Sequence, residues 1–185
     1  MDDKTLVMKF LHGNESAFDQ IYKKYSAMLY RSAYLLCQND ADAQDILQDV
    51  FITFYHKAQN IRKPESLKYW LLKCVTRMSR DILRKRSPES PADHIREMAD
   101  ANQDVQTDSY EEILFRECIK VLAPKYREVL VLYYYDELSV QEIAAVTGQL
   151  TGTVKSRLFY ARQKLKETLE GECPCQENKR VQKNK

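Results

Sequence analysis

Apolar positions recur along most of this chain at steps of three and four, the period of an α-helix with one face turned inward. From Ala17 to Cys37 they are Phe18, Ile21, Tyr22, Tyr25, Met28, Leu29 and Ser32 or Ala33. A shorter apolar stretch, Thr5 to Leu11, comes before them and stops at Gly13, a residue suited to the left-handed position after a helix. Gln38-Asn39-Asp40 breaks the pattern, with Asp40 as the expected N-cap of a helix from Ala41 to Ala58. That helix turns Ile46, Leu47, Val50, Phe51 and Phe54 inward. A loop from Gln59 to Ser66 leads into a last helix of this body, ending near Arg86, whose inner side is Trp70, Leu71, Cys74, Val75, Met78, Ile82 and Leu83.

Residues 87–108 hold two prolines and few large apolar side chains, so they read as a flexible linker. Periodicity resumes near Ser109, with Ile113, Leu114, Cys118 (or Glu117), Val121 and Leu122 on one face before Pro124. Tyr126 to Tyr134 is strongly apolar and reads as a central helix. Ser139 and Glu142 then form a capping-box pair ahead of Ile143, Ala144 and Val146. Gly148 marks a sharp turn that calls for a positive φ, and Thr151 is the expected N-cap of the final helix. Two short helices meeting at a Gly turn fit a helix-turn-helix. The expected architecture is all-α: a helical body over 1–86, a linker over 87–108, a second helical body over 109–170, and a tail over 171–185.

Composition agrees. Only 4 Gly and 5 Pro in 185 residues, with 30% charged side chains, favour long helices over turns. No apolar run approaches the roughly 20 residues needed to span a bilayer, and the opening MDDKTLVMKF lacks a secretory apolar segment, so a cytoplasmic protein without membrane insertion is expected. Cys37, Cys74 and Cys118 read as small core residues. Cys173 and Cys175 form a CPC pair in the tail without a partner at metal-ligand spacing, which leaves all 5 Cys as free thiols and no metal expected. His94 is a lone solvated histidine.

Charge changes the picture once it is read by segment. Residues 1–86 carry 15 basic and 10 acidic side chains, net +5; residues 87–112 carry 1 and 8, net −7; residues 113–185 carry 13 and 9, net +4. Two basic bodies joined by an acidic strap suit a protein that touches nucleic acid at two places. In the helix ending at Arg86, Lys68, Lys73, Arg77, Arg80, Arg84, Lys85 and Arg86 face one acid, Asp81, and Tyr69 stands near its head. That density of charge favours contact with a nucleic-acid backbone. In the final helix Val154, Leu158, Ala161 and Leu165 share one face, which puts Gly152, Lys155, Ser156, Phe159, Tyr160 and Gln163 opposite, flanked by Arg157 and Arg162. No acid occurs from Thr153 to Lys166. Exposed aromatics among unbalanced cations fit a recognition helix, with Lys155 and Ser156 as donors to base edges and Phe159 against a thymine methyl. The helix from Ala41 carries Asp42, Asp45 and Asp49, with Gln48 beside them, on its outer side. These acids are either solvated surface or a dock for a basic partner. No nucleophile–base pairing, phosphate-cradling Gly loop or metal spacing is found, so neither a catalyst nor a cofactor nor a small-molecule substrate is expected.

LAPKYREVLVLYYYDELSVQEIAAVTG followed by GTVKSRLFYARQKL resembles the fourth conserved region of bacterial RNA polymerase sigma factors. DAQDILQDVFITFYHK, with the later WLLKCVTRMSRDILRKR, resembles the second. Two such bodies without a third folded region resemble the extracytoplasmic-function, or group IV, sigma factors, over roughly residues 10–170. The resemblance implies a promoter-specificity subunit whose partners are core RNA polymerase (its β′ clamp helices and β flap), promoter DNA and an anti-sigma factor. Asp42, Asp45, Gln48 and Asp49 would dock on the clamp helices. Arg62 and Lys63 in the loop, with Lys68, Tyr69, Lys73, Arg77, Arg80 and Arg84, would hold the melted −10 strand. Thr151, Gly152, Thr153, Lys155, Ser156, Arg157, Phe159, Tyr160 and Arg162 would read the −35 element, and the acidic linker would thread toward the RNA channels. Three departures stand out: Arg77 where many relatives carry Asn, Tyr160 where they often carry a basic residue that would contact phosphate, and Gln149 where they usually place an apolar residue directly after Gly148. Either Leu150 fills that pocket by a shift, or the turn is altered. A stand-alone helix-turn-helix regulator would account for Leu138 to Leu165 only. A ligand-sensing domain over 1–86 lacks the polar cluster it would need.

Overall fold

A computed structural model of the chain describes residues 2–86 and 110–171. The linker expected at 87–108 and the tail beyond Gly171, with His94, Cys173 and Cys175, lie outside the described residues. Eight α-helices and no strand occur among the described residues: α1 (Asp3–Leu11), α2 (Glu15–Cys37), α3 (Asp40–Lys57), α4 (Leu67–Lys85), α5 (Tyr110–Lys120), α6 (Pro124–Leu130), α7 (Val140–Thr147) and α8 (Thr151–Gly171). Short 3₁₀ turns at Ala58–Asn60 and Pro64–Ser66 link α3 to α4, and a π-helical turn, Val131–Tyr135, continues α6. None of the described helices is long and apolar enough to cross a membrane.

Each boundary has a local cause. Asp2 caps α1, its carboxylate accepting from the Thr5 N–H at 2.7 Å. Gly13, at φ +84°, provides the left-handed residue after that helix. Gln38 ends α2 in the same left-handed region at φ 55°, its N–H donating to the Tyr34 carbonyl. The cap of α3 is Asn39, whose side chain accepts from the Asp42 N–H at 3.0 Å, and not Asp40, which is already helical. Asn and Asp cap about equally well, so spacing alone could not separate neighbours. Pro124 starts α6 at a position where its missing N–H costs nothing. The capping box of Ser139 and Glu142 is formed in full, and Gly148 turns at φ 68°. The last helix begins at Thr151 itself, one residue earlier than a Thr151 cap would place it.

Helices α1 to α4 pack around α2, while α6 and α7 pack on α8. The inward positions expected for α3 and α7 are buried or half-buried, as are those of α2 except Tyr22, which is exposed, and Phe54, Ile21, Leu29, Ile46, Leu71 and Ile143 are among the largest fully enclosed side chains. Each such side chain contributes roughly 1.5–3 kcal/mol relative to leaving it in water. Ile119 near the end of α5 and Leu122 in the turn after it are buried, whereas Val121 between them is exposed. The periodicity puts Val121 on the inner face and passes over Ile119; the structure corrects that expectation.

The two bodies are not held apart. α4 lies against α7, and α2 lies against both α6 and the π-helical turn, so one contiguous apolar core runs from Leu6 through Leu72 and Val75 to Leu132, Ile143 and Ala161. This explains why α4 buries Leu72, Thr76 and Ser79 beside Leu71 and Val75 of its expected stripe, whose other members, Trp70, Cys74, Met78, Ile82 and Leu83, are half-buried. It has helical neighbours on two sides.

Candidate nucleic-acid interface

α8, the helix expected to read DNA, stands as its periodicity requires. Val154, Leu158 and Ala161 are buried against α6 and α7, so Lys155, Ser156, Phe159 and Tyr160 face outward on α8. Phe159 is 64% exposed and Tyr160 54%, unusual values for large aromatics on a packed helix. The two rings meet edge-on at 5.6 Å, and Tyr160 also lies 6.3 Å from Tyr126. Thr151 and Gly152 are exposed at the head of the helix; Thr153 and Arg157 are half-buried. Arg162 is held from beneath. Its Nε donates to the Tyr134 hydroxyl at 2.9 Å, and its guanidinium lies 5.2 Å and 5.5 Å from the Tyr133 and Tyr134 ring centres.

The turn before this helix settles the Gln149 question. Gln149 sits half-buried where an apolar residue was expected, and its Nε2 donates to the Glu128 carboxylate at 3.2 Å. Leu150 does not move in to fill the site; it is 79% exposed. Gly148 takes the positive φ expected of the turn, and Gln149 adds a polar tie to α6.

On α4, Tyr69, Lys73, Arg77, Arg80 and Arg84 follow steps of four, four, three and four, which gathers them within about 80° of one another around the helix axis. Lys73, Arg77, Arg84 and the loop residues Arg62 and Lys63 are exposed. Arg84 makes a surface pair with Asp81 at 3.1 Å. Lys68, Tyr69 and Arg80 are instead engaged by the second body. Arg80 forks the Glu128 carboxylate, Nε to Oε1 at 2.6 Å and Nη2 to Oε2 at 2.8 Å, and gives Nη1 to the Thr147 carbonyl at 2.9 Å. Lys68 Nζ donates to the Asp136 carbonyl at 2.7 Å, and the Tyr69 hydroxyl donates to Glu142. That hydrogen bond first, and those from Ser139 next, hold the Glu142 carboxylate below its ordinary range, while the same bond pushes the Tyr69 hydroxyl up.

The acidic helix gives a divided result. Asp45, Gln48 and Asp49 are exposed on α3. Asp42, expected beside them, is 7% exposed and pairs with Arg86 at 2.6 Å. Asp42 lies in the first turn of α3, where the end of α4 covers it; it closes the first body and is not part of an outward acidic stripe.

Three buried polar residues behind these surfaces had no signal in the sequence beyond being charges inside an apolar run. Glu128 is 6% exposed and takes Arg80 and Gln149. Arg127, 8% exposed, donates to the carbonyls of Ile119 (3.2 Å), Lys120 (3.4 Å), Leu122 (3.0 Å) and, across the two bodies, Leu36 (3.0 Å). It thus serves the open carbonyl ends of α5 and α2 together, and burial lowers its pKa. Asp136, 1% exposed, accepts from the Ser32 hydroxyl at 2.7 Å, and burial pushes its carboxyl up to about 7 against the opposing pull of Ser32 and Lys68.

Comparison with known proteins places these surfaces in context. Residues 21–89 match the family described as Sigma-70 region 2, and residues 112–165 match Sigma-70, region 4. The chain is 32% identical to the RNA polymerase sigma factor SigV of Bacillus subtilis (strain 168), over 71% of this chain and 78% of that one. It is 32% identical to the RNA polymerase sigma-E factor of Streptomyces avermitilis, over 86% and 88%. Among solved structures, CnrH in complex with the cytosolic domain of CnrY shares the fold with a TM-score of 0.70 at 24% identity, covering 92% of this chain and 99% of that one. The sigma factor RpoE of Bartonella quintana, in complex with the anti-sigma factor NepR, gives 0.67 at 24% identity, covering 84% and 98%.

Proposed function

This chain belongs to the extracytoplasmic-function RNA polymerase sigma factors, which carry core RNA polymerase to promoters and start transcription there, and on that premise we propose how its residues divide the work. Residues 1–86 form region 2, which docks on the β′ clamp helices through Asp45, Gln48 and Asp49 and holds the melted −10 strand. Arg62, Lys63, Lys68, Tyr69, Lys73, Arg77, Arg80 and Arg84 supply cations and one stacking ring to that strand. Residues 109–170 form region 4, which reads the −35 element in the major groove through α8 and meets the β flap. Thr151, Gly152 and Thr153 open α8 where backbone and small side chains approach DNA most closely, Lys155, Ser156, Phe159 and Tyr160 address base edges, and Arg157 and Arg162 hold phosphates. Residues 87–108 are assigned as the acidic linker between the two bodies, and 171–185 as a basic tail.

The observation that carries this reading is the outward face of α8. Two large aromatics and Lys155 stand in solvent on a helix whose other side is fully packed, with no acid to balance them. The chain performs no chemistry of its own in this scheme and works in the cytoplasm beside the polymerase. An anti-sigma factor is a fitting regulator, since two relatives of the same fold were solved with such a partner or with the cytosolic domain of another protein.

The test is run-off transcription with core polymerase on a promoter library, with the Asp45→Lys, Asp49→Lys double variant alongside. The wild type is expected to select a promoter class with −35 and −10 elements. The variant is expected to stay helical and fail to enter holoenzyme. A variant that still assembles would refute the docking face, and a wild type that directs no initiation would refute the whole scheme.

A further inference from the structure

The residue before α8 breaks a local rule. Leu150 stands at the N-cap position: its carbonyl accepts from the Val154 N–H at 3.1 Å, and the helix begins at the next residue. Leu is among the poorest residues there, because it has no oxygen to accept from the first open N–H groups of the helix. Core packing can offset a poor cap, but here it does not. At 79%, Leu150 is the most exposed large apolar side chain among the described residues. A lone apolar residue on a surface needs no explanation in itself. One that caps badly and stands in solvent, at the head of a helix whose outward face is read as a DNA probe, does need one. Local rules are broken mainly where function requires it.

The backbone leading to this residue is pinned. The Gln149 N–H donates to the Ala144 carbonyl at 3.1 Å, its Nε2 ties the turn to Glu128 at 3.2 Å, and Gly148 supplies the positive φ. Leu150 is thus held on a rigid turn, with Thr151 and Gly152 exposed beside it. Base edges in the major groove carry many donors and acceptors but one apolar group, the 5-methyl of thymine. An isobutyl side chain gains nothing from the donors and acceptors and can bury against the methyl.

We infer that Leu150 is a specificity-determining residue that reads the 5-methyl group of one thymine in the −35 element. The inference rests on the reading of α8 given under the proposed function and extends it to the residue that precedes the helix. Burying one methyl-sized group corresponds to about a fourfold change in affinity.

The test pairs changes in protein and DNA, using holoenzyme and a promoter that it fires in run-off transcription. Each thymine of the −35 duplex is replaced in turn by uracil, which removes the methyl and leaves the hydrogen-bonding edge intact. Wild-type binding is expected to weaken about fourfold at one position, and Leu150→Ala should be indifferent to that same replacement. On the unmodified duplex Leu150→Ala should bind about fourfold more weakly than wild type. A thymine read by Phe159 keeps its sensitivity in this variant, which separates the two side chains. Leu150→Ser adds a readout that DNA does not enter. A capping oxygen replaces the isobutyl group, so the Tm of the free chain should rise by about 3 °C while the element is bound less tightly. A falling Tm would show that the side chain serves the fold, and overturns the inference. So does an element without an A·T pair, or a loss in Leu150→Ala that is coupled to no thymine methyl, as contact with the sugar–phosphate backbone or with a protein partner would give. Lys155→Ala separates this from the underlying reading. If that variant also binds the −35 duplex normally, α8 does not read DNA at all; if it binds weakly while Leu150 shows no coupling, only the role of Leu150 falls.

Discussion

At the scale of single residues, the decisive features are charges where an apolar pattern predicts none. Arg127 interrupts the strongly apolar stretch around Tyr126 to Tyr134, and in the structure it ties four carbonyls from α5, the following turn and α2. Replacing it with Met keeps volume and leaves those carbonyls unserved. Charged hydrogen bonds contribute about 1.5–3 kcal/mol each, not additively, so we expect Arg127→Met to lose about 3 kcal/mol in urea unfolding followed by circular dichroism. Asp136 yields a pH signature. Its ordinary value is 3.8 and its carboxyl in the folded chain titrates near 7. Between those values the folded chain keeps a proton that the unfolded chain has lost, so stability from this group is greatest at the acid end and declines as pH rises through 7, by at most about 1.4 kcal/mol per pH unit. Melting temperatures of wild type and Asp136→Asn, measured from pH 5 to 8, should converge at low pH and diverge as pH rises, with the wild type falling below. Parallel curves would show that burial does not act through this proton. None of this could be read from spacing, because a charge in an apolar run looks the same whether it reaches a carbonyl, a carboxylate or water.

At the scale of elements, the sequence is far more open. The 3.6-residue period placed every described helix within a few residues, and the phase of α8 followed from four core positions, Val154, Leu158, Ala161 and Leu165. Lys155→Ala should therefore weaken holoenzyme binding to the upstream promoter element by about 1–3 kcal/mol, with the −10 footprint unchanged. Equal loss at both elements would argue that Lys155 contributes only general charge. Where the period failed, it failed for identifiable reasons. Asp42 shares the helical face of Asp45 and Asp49 on paper, but the tail of α4 reaches back over the first turn of α3 and takes it through Arg86. Val121 misses the core because α5 has ended at Lys120 and the turn after it points Leu122 inward instead. Leu72, Thr76 and Ser79 were missed because a helix packed on two sides has no single stripe to find. The cations and aromatics of α4 and α8 proposed to contact DNA could be picked out in the sequence; which of them are already engaged by the second body could not.

At the scale of the molecule, two bodies separated by an acidic stretch looked independent in sequence and share one core in the structure. Leu132, at the heart of the C-terminal module, belongs to the same cluster as Leu29 and Val75. Calorimetry of the full chain should accordingly show one transition whose van't Hoff and calorimetric enthalpies agree, where two uncoupled modules would give two. The prediction fails if residues 1–86 and the C-terminal module melt separately.

The shared core also bears on how long an idle molecule survives. Intracellular proteases cut segments that open, and when opening is fast they follow the population of the open form. A half that can unfold only by dragging its neighbour along opens as rarely as the whole. The weaker half then borrows the lifetime of the stronger one, and turnover of the idle chain is set by a single rare event for the entire polypeptide.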